Sequence, residues 1–120
     1  MVQNKDLERS QYAFNKVKEV NNAIRIDYSN YAKKLSVMIQ TNGLVATVAF
    51  CKAKGGAYNE LIEQLHYWLK DKQHLIVGTE PDLLTHLVNA NSRQVLSLTY
   101  ESIAICDWFK RMVEALIPEN

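Results

Sequence analysis

Apolar residues recur every three or four positions along most of this chain of 120 residues. Two such stripes occur in its first third: Ala13, Val17, Val20 and Ile24, and then Tyr28, Tyr31, Leu35 and Ile39. This spacing places the apolar side chains on one face of an α-helix, and lysines such as Lys18 and Lys34 fall off the stripe. The period of 3.6 residues therefore predicts an all-α fold.

The segment Leu44–Cys51 is the most apolar of the chain, with seven apolar residues out of eight, and it directly follows Asn42-Gly43. Asn and Gly tolerate the left-handed conformation that ends helices, so this pair predicts a tight reversal. A buried strand is the competing interpretation, because three residues are β-branched (Val45, Thr47 and Val48). The chain offers no convincing partner strand, so we predict a helix in the middle of a helical bundle.

Further helices are predicted after this segment. Gly55-Gly56 marks a turn, and a fourth stripe follows at Leu61, Leu65, Trp68 and Leu69. Residues 73–78 are predicted to form a loop. Thr79 is expected to cap a short helix and Ser92 the longest one, which Pro118 ends. The fold class is a compact single-domain bundle of about five to six helices over residues 1–120.

The composition indicates a cytoplasmic globular protein. Hydrophobic residues make up 48% and charged residues 22% of the chain, as in ordinary soluble domains. The start, MVQNKDLERS, is too polar for a secretion signal, and no apolar run approaches the roughly 20 residues of a membrane helix. Cys51 and Cys106 lie in apolar segments without CxxC spacing. We expect both to be small buried side chains, and no membrane to be a partner.

The sequence offers little support for an enzyme or for a cofactor. Glu63 and His66 have the Glu-x-x-His spacing of di-iron bundles, but such a site needs a second copy and two further glutamates. The nucleotide-binding motifs GxxxxGK[ST] and GxGxxG and the catalytic motifs HExxH and GxSxG are missing. We therefore expect no enzyme, no metal and no cofactor. A hydrolase or metal enzyme built on His66 remains as an alternative, which metal analysis would test.

Charge is divided unevenly along the chain. Met1–Lys54 holds nine Lys or Arg against four Asp or Glu, and the remainder holds five against nine. Residues 28–54 contain four lysines and no acidic residue. If the second and third helices form a hairpin, Lys33 and Lys34 and then Lys52 and Lys54 lie away from its turn and converge. We expect these four lysines to bind nucleic-acid phosphates without reading sequence, with Lys16, Lys18 and Arg25 as second choices.

Two stretches of the chain together resemble a known family. They are YAKKLSVMIQTNGLVATVAFCKAK, with its NGL and AF blocks, and TYESIAICDWFKRMVEALI, with its WFKR block. The segment ELIEQLHYWL is similar to the same family's leucine-rich stretch ending in Trp-Leu. The chain resembles the small subunit of the Cmr complex, the type III-B CRISPR RNA-guided effector, over most of its length.

The resemblance implies an all-helical, non-catalytic subunit of an antiviral complex. Its partners would be a large polymerase-like subunit, the backbone subunits, copies of itself that stack into an inner filament, guide RNA and target RNA. Contacts to the RNA backbone suffice for such a subunit, because base pairing reads the sequence. Lys110 and Arg111 of the WFKR block are further candidates for RNA contact, whereas Trp68, Trp108 and Phe109 are expected in the core.

A small helical DNA-binding regulator is the alternative function. A helix-turn-helix needs a basic recognition helix in the major groove. The helix predicted after Gly56 instead carries Glu60 and Glu63 and no Lys or Arg before Lys70. This alternative is therefore disfavoured.

Overall fold

The computed structural model describes residues 4–118, which form six α-helices. The helices are α1 (Lys5–Lys18), α2 (Arg25–Asn42), α3 (Leu44–Lys54), α4 (Gly56–Tyr67), α5 (Leu83–Asn89) and α6 (Ser92–Leu116), with a 3₁₀ turn at Asn22–Ile24 and a π-helical turn at Trp68–Lys72. The described part of the chain contains no strand. The predicted all-α bundle is confirmed, and so is the loop at residues 73–78.

The longest helix, α6, is the central element of the bundle. Its 25 residues extend over about 37 Å at 1.5 Å per residue, and it packs along both α1 and α2. Leu98, Ile105, Phe109 and Val113 are among its buried side chains. One continuous core joins these side chains to those of all the other helices. Each large apolar side chain buried there contributes about 1.5–3 kcal/mol to folding.

The segment Leu44–Lys54 is a helix, as predicted, but it does not lie in the middle of the bundle. Leu44, Val48 and Cys51 are buried, whereas Phe50 and the alanines at positions 46, 49 and 53 are exposed. An exposed alanine costs little because its side chain is one methyl group. The sequence of this segment is therefore apolar around most of the helix, although one face of the helix is exposed to solvent. The prediction that it lies in the middle of the bundle is wrong.

The reversal between α2 and α3 follows the prediction for Asn42-Gly43. Gly43 has φ 90° and ψ 159°, a conformation that residues with a side chain rarely adopt. Its N–H donates to the carbonyl of Ile39 at 2.9 Å, and its own carbonyl accepts from the N–H of Thr47 at 3.1 Å. The two helices consequently form a packed hairpin.

Two predicted helix caps are shifted along the chain. Asp82, and not Thr79, caps α5: its Oδ1 accepts from the N–H of Thr85 at 2.8 Å. Asn91, and not Ser92, caps α6 through a reciprocal capping box with Gln94. A cap must be extended and lie two or three residues before the amide that it satisfies. Asp82 and Asn91 meet both conditions.

The first helix is shorter than its apolar stripe. α1 ends at Lys18, and the next two stripe positions, Val20 and Ile24, lie in the connection to α2. Asn21 accepts from the N–H of Ala23 at 2.8 Å and so starts the 3₁₀ turn, because asparagine competes for backbone hydrogen bonds. Val20 is nevertheless buried and Ile24 packs against the core.

A buried polar network fastens α1 to α6. Arg9 donates two hydrogen bonds to the carboxylate of Glu101, at 2.7 and 2.8 Å, and the indole N–H of Trp68 donates a third at 3.0 Å. Burial alone raises the pKa of the Glu101 carboxyl, but the hydrogen bonds from Arg9 and Trp68 outweigh it, so the net pKa is lowered. Glu101 is therefore an ionised carboxylate inside the protein at neutral pH.

Candidate nucleic-acid interface

Three of the four first-choice lysines lie exposed on the α2–α3 hairpin, and one of them, Lys52, is paired with an acidic residue. Lys34 of α2 and Lys54 of α3 are exposed, and Lys33 is partly buried. Lys34 stands nine residues before Gly43 and Lys54 eleven after it, which is about 14 and 16 Å along the two helices from the turn. Both cations therefore lie at least two helical turns away from Gly43, each on its own helix.

A row of three aromatic rings joins these two helices. The rings of Tyr31 (α2) and Tyr58 (α4) stack with centroids 3.7 Å apart and planes at 5°, and Phe50 (α3) meets Tyr58 edge-on at 5.4 Å. Lys34 follows Tyr31 by three residues, one turn along the helix. The Nζ atom of Lys54 lies 5.6 Å from the Phe50 ring centroid. Tyr58 is itself buried, so we call Lys34, Lys54 and the rings of Tyr31 and Phe50 the hairpin surface.

Lys52 does not belong to the hairpin surface. Its ammonium group pairs with the carboxylate of Asp82, the residue that caps α5. The hydrogen bond from Lys52 and then the N–H of Thr85 lower the pKa of Asp82 well below its usual range. Positions 52 and 54 also point about 200° apart around α3. The expectation of four converging lysines free of acidic neighbours is therefore wrong at Lys52, because a carboxylate from a distant part of the chain reaches it.

The second-choice residues lie near the α1–α2 connection. Lys16 Nζ is 3.8 Å from the carboxylate of Glu19 and lies over two tyrosine rings, at 5.6 Å from Tyr12 and 5.3 Å from Tyr67. Lys18 lies 5.7 Å from the ring centroid of Phe14, and Arg25 is partly buried at the start of α2. The two lysines thus rest against aromatic rings at the protein surface.

Lys110 and Arg111 differ from each other in their surroundings. Arg111 is exposed and stacks on Trp108 with 4.7 Å between its guanidinium carbon and the ring centroid. Lys110 is partly buried on α6. Trp68 and Phe109 are buried in the core, as predicted, and Trp108 packs against it while partly exposed.

Lys72 is a surface cation outside the predicted contact set. Its Nζ lies 5.8 Å from the Tyr67 ring centroid, so Lys16 and Lys72 approach the same ring from two different elements. In the sequence, Lys70 and Lys72 indicate only a helix end rich in lysine. No pattern in the sequence predicts the π-helical turn that brings Lys72 toward Tyr67, because this turn depends on the packing of Trp68 and Leu69 in the core.

Both cysteines are buried, whereas His66 and His86 are partly buried and His74 is exposed. His66 is partly buried, and burial lowers its pKa. Burial raises the pKa of the Cys51 thiol to about 11 and that of Cys106 further still, so both thiols are protonated at neutral pH. Within residues 4–118, no group of three or more His, Cys, Asp or Glu side chains is arranged to hold a metal ion.

None of the described helices is long and apolar enough to cross a membrane.

Comparisons with known proteins identify the family. The family model described as CRISPR-associated protein (Cas_Cmr5) matches residues 5–116. Two similar proteins are both named CRISPR system Cmr subunit Cmr5. The protein from Thermus thermophilus is 33% identical over 117 residues, which covers 92% of this chain and 93% of the relative. The protein from Thermotoga maritima is 31% identical over 114 residues, which covers 92% of this chain and 83% of the relative.

A solved structure agrees with these two matches. The crystal structure of a CRISPR-associated Cmr5 family protein from Thermus thermophilus superposes with a TM-score of 0.78 at 30% sequence identity, covering 97% of this chain and 99% of that one. The resemblance drawn from the NGL, AF and WFKR blocks is thereby confirmed. The family model spans nearly the whole chain, and the curated relatives and the solved fold point the same way: this chain belongs to the Cas_Cmr5 family of CRISPR-associated proteins.

Proposed function

We propose that this chain is a non-catalytic small subunit of a type III-B CRISPR effector, the Cmr complex. In this proposal the chain stacks with copies of itself and with other Cmr subunits, and the hairpin surface contacts the backbones of guide and target RNA in the cytoplasm. The names of the relatives, both Cmr subunits, support the place in the complex. The RNA contact is supported by the chain's own surface.

The hairpin surface carries the proposal. Lys34 and Lys54 are exposed cations on two packed helices, and the 27 residues from Tyr28 to Lys54 contain no acidic residue. Phosphates attract such cations through a long-range field that does not depend on base sequence. Lys33 and Lys52 stay in the proposed contact set as weaker members, because Lys33 is partly buried and Lys52 is paired with Asp82.

A salt titration tests the RNA contact. The affinity of the full-length protein for a labelled single-stranded RNA is measured by fluorescence anisotropy at several salt concentrations. The slope of log affinity against log salt is expected near −0.7 for each phosphate neutralised. In the double variant Lys34→Gln/Lys54→Gln the slope should be shallower by about 1.4, the value for two lost contacts. An unchanged slope would remove the hairpin surface from the RNA interface.

A competition experiment distinguishes RNA binding from the alternative function, a DNA-binding regulator. Unlabelled duplex DNA should displace the labelled RNA no better than unlabelled single-stranded RNA of equal charge does, because the hairpin surface presents no basic helix for the major groove. Preference for the duplex would favour the regulator.

Reconstitution tests the place in the complex. A Cmr complex assembled without this chain should keep its cleavage chemistry but load target RNA more weakly, and adding the chain should restore loading. Loss of all cleavage chemistry in a complex that still loads RNA would contradict a non-catalytic role.

A further inference from the structure

A second cationic surface surrounds Tyr67 and shares no residue with the hairpin surface. Lys16 Nζ lies 5.3 Å and Lys72 Nζ 5.8 Å from the centroid of the Tyr67 ring. Tyr67 is 45% exposed. Cations from α1 and from the π-helical turn thus meet on one accessible ring. We call Tyr67, Lys16 and Lys72 the Tyr67 cluster.

The π-helical turn explains why Lys72 belongs to the cluster. The N–H of Gln73 donates to the carbonyl of Trp68 at 2.9 Å, a separation of five residues and not the usual four. In a regular α-helix, a side chain five positions after Tyr67 would lie about 140° away around the axis. The wider turn brings position 72 back to the side of Tyr67. Lys72 therefore lies where a regular helix would not place it.

The ring of Tyr67 is held in position from within the protein. It lies parallel to Tyr12, with planes at 11° and centroids 6.3 Å apart, and Tyr12 packs in turn against Trp68 at 4.8 Å. The hydroxyl of Tyr12, which is itself buried, donates to the backbone carbonyl of Gln64. A partner that stacks on Tyr67 thus meets a ring fixed by the core, so little rotamer entropy is lost on binding.

A polar cleft of about 430 Å³ opens beside the cluster, between α1 and the π-helical turn. Its walls include three side-chain amides, Gln11, Asn15 and Gln73, together with Lys72 and the carboxylate of Glu8. The Gln73 amide donates to that carboxylate at 3.4 Å. Each amide can donate and accept a hydrogen bond, which suits the mixed donors and acceptors on the edge of a nucleobase. The size lies within the range of small-molecule pockets.

We propose that the Tyr67 cluster is a stacking platform for one unpaired base of a single-stranded RNA. The base lies on the Tyr67 ring, its edge reaches the amides of the cleft, and Lys16 and Lys72 move off the ring to hold the adjoining phosphates. The ion pair between Lys16 and Glu19, 3.8 Å long and on the surface, is weak enough to yield to a phosphate. This inference rests on the proposed RNA contact and adds a second, base-dependent site.

Base dependence separates this site from the hairpin surface. Stacking needs a base, whereas a phosphate contact needs only the sugar–phosphate backbone. A matched pair of probes exploits the difference: a labelled oligouridine of about twelve nucleotides, within the usual site size, and an abasic ribose-phosphate chain of the same length. Both are titrated with the full-length protein at low salt, up to about 0.1 mM, since non-specific binding lies in this range.

Tyr67→Leu should lower affinity for the oligouridine about tenfold, in line with the loss of one stacked base, and leave the abasic chain unaffected. Tyr67→Phe keeps the ring and should bind both probes like the wild type. Tyr100→Leu is the matched control, because Tyr100 is an exposed tyrosine of α6 that belongs to neither surface. It should bind both probes like the wild type. Thermal unfolding verifies that each variant is folded.

Photochemical cross-linking gives an independent readout. RNA that contains 5-bromouridine should cross-link at Tyr67, identified by mass spectrometry of the digested protein. If Tyr67→Leu binds both probes like the wild type and no cross-link maps to Tyr67, the stacking platform is refuted while the hairpin surface stands. If the wild-type protein binds neither probe, the proposed RNA contact and this inference fail together.

Discussion

Charge is used in opposite ways in the α1–α6 interior and on the α2–α3 hairpin. In the interior, Glu101 is 7% exposed and its carboxylate is satisfied by Arg9 and Trp68. On the hairpin, Lys34 and Lys54 are exposed to solvent, with an aromatic row between them. A buried charge must be matched inside the protein and so acts on stability. An exposed charge stabilises the fold little and is available to a partner.

The largest expected effect is on the interior side of this comparison. Glu101→Gln removes the charge that Arg9 and Trp68 satisfy and leaves Arg9 with only its more exposed acidic partner, Asp6. Loss of the buried member of such a pair is strongly destabilising. We expect the free energy of unfolding to fall by about 3 kcal/mol, measured by urea denaturation. Glu114→Gln, at an exposed position of the same helix, is the control and should change stability by less than about 0.5 kcal/mol. Equal losses of stability in the two variants would contradict the difference proposed between buried and exposed charges.

The second prediction concerns the exposed side. Reversing both charges in Lys34→Glu/Lys54→Glu should weaken binding of single-stranded RNA at least about tenfold, because two attractions become repulsions. The midpoint of urea unfolding should stay nearly unchanged, since exposed charges contribute little to the fold. Anisotropy and urea denaturation measure the two quantities on the same samples. Unfolding of the variant would mean that these lysines are structural.

The third prediction uses pH to sharpen the contrast. The folded-state pKa of Glu101 is lowered, so its stabilising contribution is fully present above the unfolded-state pKa, near the ordinary glutamate value of about 4.3. The contribution is lost as the pH falls through the lower folded-state pKa. The stability gap between the wild type and Glu101→Gln should therefore shrink progressively below about pH 4.3. A gap that stays constant as the solution is acidified would contradict an ionised Glu101.

The smallest effect is expected at Lys52, which resembles Lys54 in sequence but is paired with Asp82. Lys52→Ala should cost less than about 1 kcal/mol, as for other exposed pairs, and should weaken RNA binding less than Lys54→Ala does. The pKa of Asp82 should rise toward its ordinary value, since Lys52 is the largest cause of its lowering; NMR titration measures it. A larger loss of RNA affinity for Lys52→Ala than for Lys54→Ala would mean that Lys52, and not Lys54, is the main RNA contact on α3.

Local patterns predict the helices and part of the interface. The apolar period locates the helices because each helix buries one face, and Asn42-Gly43 locates the hairpin because its geometry requires glycine at that position. Features that depend on distant contacts were not predictable. Asp82 meets Lys52 across 30 positions of sequence, and Arg9 meets Glu101 across 92. The caps at Asp82 and Asn91 were predictable only to within a few residues, because several neighbouring residues are of a type that can cap a helix.

The π-helical turn at Trp68–Lys72 has a consequence for how the surface can change while the core is kept. This turn holds one residue more than a turn of regular α-helix would. Trp68 and Leu69, which anchor the helix in the core, are the first two residues of the turn. Deleting a single residue after Leu69 would tighten the helix and carry the lysine away from Tyr67, with the anchoring side chains left in place. Insertion or deletion of one residue is thus a means by which related chains can gain or lose the Tyr67 cluster while Trp68 and Leu69 stay in the core.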